Sequence, residues 1–190
     1  VGGDQPSDAP THGTAAENFP MIAVENRDPL PNTRKRPVYA QSRRERPDAV
    51  LYPTMAGGRE GPIEPRYAHF DALHQAGVLG MGVADSGTLN LASRKADGTV
   101  VPNTMVYENT PADIAWMYAW CRERALPLHV SIFEPGGLRL VLAHHEAGTL
   151  PPGVKIQFYL MGPRSLSGLP AEPWALDAYL RLLGDAPIPW

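Results

Sequence analysis

The chain has 190 residues, 43% hydrophobic and 19% charged, with a formal net charge of -3. This composition excludes a wholly disordered chain, the length suits one domain with a sizeable core, and the acidic balance gives no general attraction to nucleic acid or anionic membranes. Its single cysteine, Cys121, excludes an internal disulfide, and with no long apolar run or charged-then-apolar leader the expected setting is a reducing cytoplasm.

From Val1 to about Asn18 the residues are Gly, Asp, Pro, Ser, Thr and Ala without an apolar period, which predicts a poorly ordered tail ahead of one domain over 19–190. Phe19 to Val24 is a short apolar run that reads as a buried strand, and its polar end is Glu25-Asn26-Arg27-Asp28. Pro29 and Pro31 then stop regular structure. The basic stretches Arg34-Lys35-Arg36 and Arg43-Arg44-Glu45-Arg46 read as the solvated face of a helix, because Glu45 interrupts them and Tyr39 is the one nearby aromatic.

Ala49–Pro53 predicts a strand, Thr54–Pro65 a Gly/Pro-rich loop, and Arg66–Ala76 a helix closed by Gly77. The pattern returns with a strand at Leu79–Ala84, followed by a long excursion through Asp97-Gly98. Thr110 then caps a helix with Pro111 at its first position and Asp113 completing a capping-box pattern. Ile114, Met117, Tyr118 and Cys121 recur at helical spacing, so Cys121 reads as core. A strand at Leu128–Phe133, stopped by Pro135-Gly136-Gly137, precedes a helix at Leu138–Ala147 closed by Gly148. Val154–Tyr159 is a further strand, and Glu172–Leu183 the helix after it. Strands alternating with helices over more than a hundred residues predict an α/β fold with parallel strands and helices outside.

In such folds the ligand site lies at the carboxyl ends of the strands. That points to Glu25 and Asp28, Thr54, then Asp85, Ser86, Thr88 and Asn90, then Ser131 and Glu134, and last Gln157 and Tyr159 with the loop Met161–Gly168. Alternation along the last strand sets Gln157 and Tyr159 on one face, opposite Ile156 and Phe158. The bland reading of Thr54, Thr88 and Glu134 is that each caps the following helix. Arg164 and the free N–H groups of its loop could hold a phosphate or carboxylate, although the loop has no Walker or dinucleotide spacing. His144 and His145 are adjacent on a helix, and His69 and His74 fall on different faces of theirs. No internal His/Cys/acid cluster has the spacing of a zinc site.

Several segments, in this order, resemble the β-keto acid cleavage enzymes: Asp48 to Gly58, Asp85-Ser86-Gly87-Thr88-Leu89-Asn90-Leu91, Tyr107-Glu108-Asn109-Thr110, Ser131-Ile132-Phe133-Glu134-Pro135-Gly136 and Ile156-Gln157-Phe158-Tyr159. The resemblance covers about Asp48 to Trp190 and implies a (β/α)₈ TIM barrel, present here as about four to five central β/α units. It implies a homo-oligomer, often a tetramer, that uses zinc and acetyl-CoA to convert a β-keto acid to acetoacetate and a new acyl-CoA. By position Thr54 and Thr88 resemble hydroxyls that line the family's substrate pocket and Glu134 the acidic end of its fifth strand, so these three are the expected catalytic residues; the strand ends and the loop after the last strand give Asp85, Asn90, Ser131, Gln157 and Arg164 as expected substrate contacts. Ser131 stands where other members can carry a substrate-selecting acid, so a cationic substrate is not implied.

The family's metal site begins with a His-x-His pair before Arg-Asp. Here Ala23-Val24-Glu25 precedes Asn26-Arg27-Asp28, which leaves Glu25 as the one counterpart able to bind metal. The family's opening strand, with its acid, and its last two strands, with a further glutamate ligand, find no counterpart in the chain. Two other readings stay open: a catalytically inactive barrel piece serving as a binding or assembly subunit, and an unrelated barrel enzyme anchoring a phosphate on Arg164.

Overall fold

The computed structural model describes residues 21–24, 32–55, 61–102 and 105–190. The expected tail and Glu25 lie outside the described residues, as do Asp28, Pro29 and Pro31. The elements run β1 (Met21–Val24), α1 (Asn32–Glu45), β2 (Val50–Pro53), α2 (Ile63–Gln75) and β3 (Gly82–Ser86). Four two-residue strands follow: β4 (Leu89–Asn90), β5 (Ser93–Arg94), β6 (Val100–Val101) and β7 (Val106–Tyr107). The chain continues with α3 (Pro111–Glu123), β8 (Leu128–Ile132), α4 (Pro135–Glu146), β9 (Val154–Phe158) and α5 (Pro173–Leu183).

This is an α/β protein whose long strands pair in parallel. β1 pairs with β2, and β3, β8 and β9 form a three-stranded sheet in that order. β2 runs beside the approach to β3, where the Gly80 N–H donates to the Leu51 carbonyl at 2.7 Å. A Cβ on Gly80 would meet Leu51 backbone atoms at 2.9 and 3.0 Å, so this approach requires glycine. The expected strand at Leu79–Ala84 therefore sits later, at Gly82–Ser86. Gly80 serves β2, and the ladder to β8 opens with Gly82 opposite Leu128.

Period two explains the sheet's layers. Leu128, Val130 and Ile132 are fully buried on one face of β8, against the helix layer, and Ile156 joins them from β9. Each such burial contributes about 1.5–3 kcal/mol. α3 and α4 pack on β3, and α5 packs on α4. Ile114, Met117, Tyr118 and Cys121 form the predicted buried stripe of α3. Its N-terminus is the predicted capping box: Thr110 Oγ1 accepts from the Asp113 N–H at 3.2 Å, and Asp113 accepts from the Thr110 N–H at 2.8 Å.

Helix starts differ from the sequence reading. α4 begins at Pro135 rather than Leu138, because proline suits the first helical position and opens the helix that it was expected to precede, and α5 begins at Pro173, one residue after the expected Glu172, which stands at its N-cap position. α2 begins at Ile63 rather than Arg66, with Pro62 as its N-cap residue. Gly77 and Gly148 take positive φ, 69° and 65°, just beyond α2 and α4 as predicted. Along the basic stretch Arg44, Glu45 and Arg46 are exposed, whereas Tyr39 is buried and cannot stack on a base. Among the described residues no helix is long and apolar enough to cross a membrane.

Candidate active site

Pairing in register assembles the site. Asp85 lies opposite Ser131, and Ser131 opposite Gln157; two rungs earlier Val83, His129 and Lys155 are aligned. Because alternate residues share a face, Asp85, His129 and Ser131 all point away from the helix layer. There a cavity of about 690 Å³ opens at the carboxyl ends of β2, β3, β8 and β9. Thr54, Asp85, His129 and Ser131 supply polar groups at the strands, and Phe133 and Tyr159, stacked at 4.6 Å, form part of its wall.

The excursion between β3 and α3 roofs this cavity. β4 pairs with β7 and β5 with β6, both antiparallel, and Leu89, Leu91, Met105 and Tyr107 face inward. Its far side docks on the loop after β9. The Arg94 N–H donates to the Arg164 carbonyl at 2.9 Å, Arg94 Nε to the Pro163 carbonyl at 2.7 Å, and the Leu166 N–H to the Ala92 carbonyl at 2.9 Å. Ser167 Oγ accepts from the Ala92 N–H at 3.3 Å and donates to the Asn90 carbonyl. A segment leaving β3 thus fastens beyond β9 and crosses the end of β8.

Asp85 is the one carboxylate at the cavity surface among the described residues. The Tyr107 hydroxyl donates to it, and Ser131 also hydrogen-bonds it. Burial raises its pKa above the ordinary carboxylate value, while the Tyr107 and Ser131 hydrogen bonds and the Arg66 charge act in the other direction. His129 is stacked on Tyr52 at 5.2 Å, and its buried Nδ1 has no hydrogen-bond partner among the described residues. Desolvation, with a smaller contribution from Lys155, pushes its pKa down to about 4, so its imidazole is neutral at ordinary pH. A neutral imidazole carries one donor and one acceptor.

The structure brings Thr54, Asp85, Ser131 and Tyr159 together at the cavity with Met161, Ser165 and Ser167 of the loop after β9, and leaves Ser86, Thr88, Asn90, Glu134, Gln157 and Arg164 outside its lining. Thr88 is exposed; its hydroxyl donates to the Asn109 carbonyl and accepts from the Asn109 N–H, both at 3.1 Å, and so closes the base of the roof. Asn109 is buried and is held further by Arg66, whose Nη2 donates to Asn109 Oδ1 at 2.6 Å. Glu134, two residues beyond β8, accepts from the Gly168 N–H at 2.9 Å, tying down the loop after β9. Neither residue caps a helix: Glu134 occupies the N-cap position of α4 without a side-chain cap bond, and Thr88 lies well before α3.

Asn90, Gln157 and Arg164 are exposed. Gln157 keeps the face predicted for it but sits beside the cavity, whereas Tyr159 reaches it. The loop that could hold an anion gives its Pro163 and Arg164 carbonyls to Arg94. Tyr107, Asn109 and His129 had no assigned role in the sequence. Only His129 carried a signal, since two-residue alternation from Ser131 puts it on the same face.

Among the described residues no three His, Cys, Asp or Glu side chains are grouped to hold a metal ion. Glu25 lies outside them, and Ala23 has no ligand atom. The described residues therefore do not fit a zinc site.

A family model described as beta-keto acid cleavage enzyme matches residues 25–190. Comparison with curated proteins gives no match.

Proposed function

We propose, from the premise that this chain belongs to the beta-keto acid cleavage enzyme family, that it exchanges the acyl group of a β-keto acid with acetyl-CoA on an incomplete (β/α)₈ barrel. In this reaction a β-keto acid and acetyl-CoA give acetoacetate and the acyl-CoA of the keto acid's remaining chain. The bond between C2 and C3 of the keto acid breaks, C2 bonds to the acetyl carbonyl carbon, and the CoA sulfur passes from acetyl to the released acyl carbon. The products contain the atoms of the reactants, and no oxidant or reductant is needed.

The observation that carries this reading is the row of Thr54, Asp85, His129 and Ser131 at the carboxyl ends of parallel strands, in a cavity otherwise largely apolar. Breaking the C2–C3 bond develops charge on oxygen atoms, which hydroxyl and imidazole donors stabilise better than water when they are fixed in place. Thr54 and the neutral His129 are the donors near the substrate. Asp85, its pKa raised by burial, holds or accepts the proton that moves. Thr88 and Glu134 hold the roof and the loop after β9 in place around them.

The test is to supply the chain with acetyl-CoA and a broad panel of β-keto acids and to measure acetoacetate. Formation of acetoacetate that falls on the order of 10²-fold in Asp85→Asn supports the reading. No acetoacetate from any keto acid removes it in favour of a binding or assembly role.

A further inference from the structure

Resting on that reading, we propose that the β-keto acid has an uncharged, apolar side chain, and that the roof between β3 and α3 is the element that selects it. The cavity is divided by chemistry. Its charged and titratable groups come from the strands and from Tyr107, while Leu89, Leu91 and Met105 of the roof line it together with Phe133, Tyr159 and Met161, and the loop after β9 adds only the uncharged hydroxyls of Ser165 and Ser167. No lysine, arginine or glutamate lines it among the described residues. The roof's own Arg94 is turned onto the Pro163 carbonyl, away from the space beneath.

Among the described lining residues, charge on the substrate's side chain would find no free partner. A second carboxylate would meet Asp85 with no lining cation of the described residues between them, and like charges close together repel. An ammonium would lose its water with only Asp85 to turn to, a carboxyl already supplied by the donors Tyr107 and Ser131. An alkyl chain, by contrast, displaces water from Leu89, Leu91, Met105 and Met161 and gains about fourfold in affinity per buried methylene, the ~0.8 kcal/mol of a CH₂ group.

Calorimetric binding of β-keto acids with four, six and eight carbons, and of six-carbon acids ending in ammonium or carboxylate, tests this on the chain as it is. The dissociation constant should fall about fourfold per methylene, and either charged acid should bind at least about tenfold more weakly than its alkyl counterpart. In Leu91→Ala and Met105→Ala the eight-carbon acid should lose more affinity than the four-carbon acid. Met105 is exposed enough that its variant should fold even if Leu91→Ala does not. A flat series, equal or tighter binding of a charged acid, or no binding of any acid overturns the inference. Acetoacetate formation, measured after acetyl-CoA is added to the six- and eight-carbon acids, judges the reaction separately: graded binding without product sinks the reaction and leaves the selectivity standing.

Discussion

The Thr88 hydroxyl grips both backbone groups of Asn109, donating to its carbonyl and accepting from its N–H at 3.1 Å each. Two residues 21 positions apart thereby pin the roof where it leaves β3 and returns to α3. Thr88→Val keeps the shape and removes both bonds, leaving the backbone of the buried Asn109 short of partners at a cost of about 1–3 kcal/mol. Denaturant unfolding should show that loss, and limited proteolysis should cut faster between Leu89 and Tyr107. Thr88→Ser should recover most of it. Full stability with a lower rate in Thr88→Val would return Thr88 to the chemistry.

Tyr107→Phe removes the hydroxyl that donates to Asp85. Because that bond lowers the Asp85 pKa against the rise from burial, its loss should raise the pKa further. The pH profile of acetoacetate formation should move to higher pH on its acidic limb. An unmoved profile would separate Asp85 from the titrating step.

Burial depresses His129 from its ordinary 6.5 to about 4, so the unfolded chain binds more protons than the folded one between those values. Stability should therefore fall as pH drops from 6.5 towards 4, by up to about 3 kcal/mol from this group. Asp85 acts oppositely, since acid relieves a buried carboxylate whose folded pKa is raised. The comparison with His129→Gln isolates the histidine: the variant should lack its part of the decline in unfolding free energy measured from pH 7 to pH 4.

Cys121 is buried, and desolvation raises its thiol to about 11, against the smaller lowering effects of Tyr67 and Arg124. At pH 8 its thiolate is about one part in a thousand, compared with roughly a quarter for an unfolded thiol. Iodoacetamide should modify the native chain more than about 100-fold more slowly than the denatured one. Comparable rates would mean that the core around α3 and β3 opens.

With Ala23 and Glu25 standing where the resemblance has a His-x-His pair, the 190-residue chain should retain well under one zinc per molecule after dialysis against a weak chelator, read by elemental analysis. One retained zinc per chain would locate a site that these residues do not form.

What the sequence determined is what acts over a few residues. The Thr110–Asp113 capping box, the prolines that open α4 and α5, the glycines beyond α2 and α4 and the buried stripe ending at Cys121 depend on neighbours within about two helical turns, where backbone geometry leaves few alternatives. Period two likewise set the facing of β8 and β9, and the alternation of strands and helices foretold their parallel order. Side-chain identity, however, specifies only what a group can donate or accept. Which partner it meets followed from the topology: Thr88 closes on Asn109 instead of on a substrate, Tyr107 reaches Asp85 across 22 residues, and Ser167 holds Asn90 across 77. Only once β3, β8 and β9 had stacked in register could Asp85, Ser131 and His129 share one cavity, and only the roof's crossing from β3 to the loop after β9 decided that the space above them is apolar.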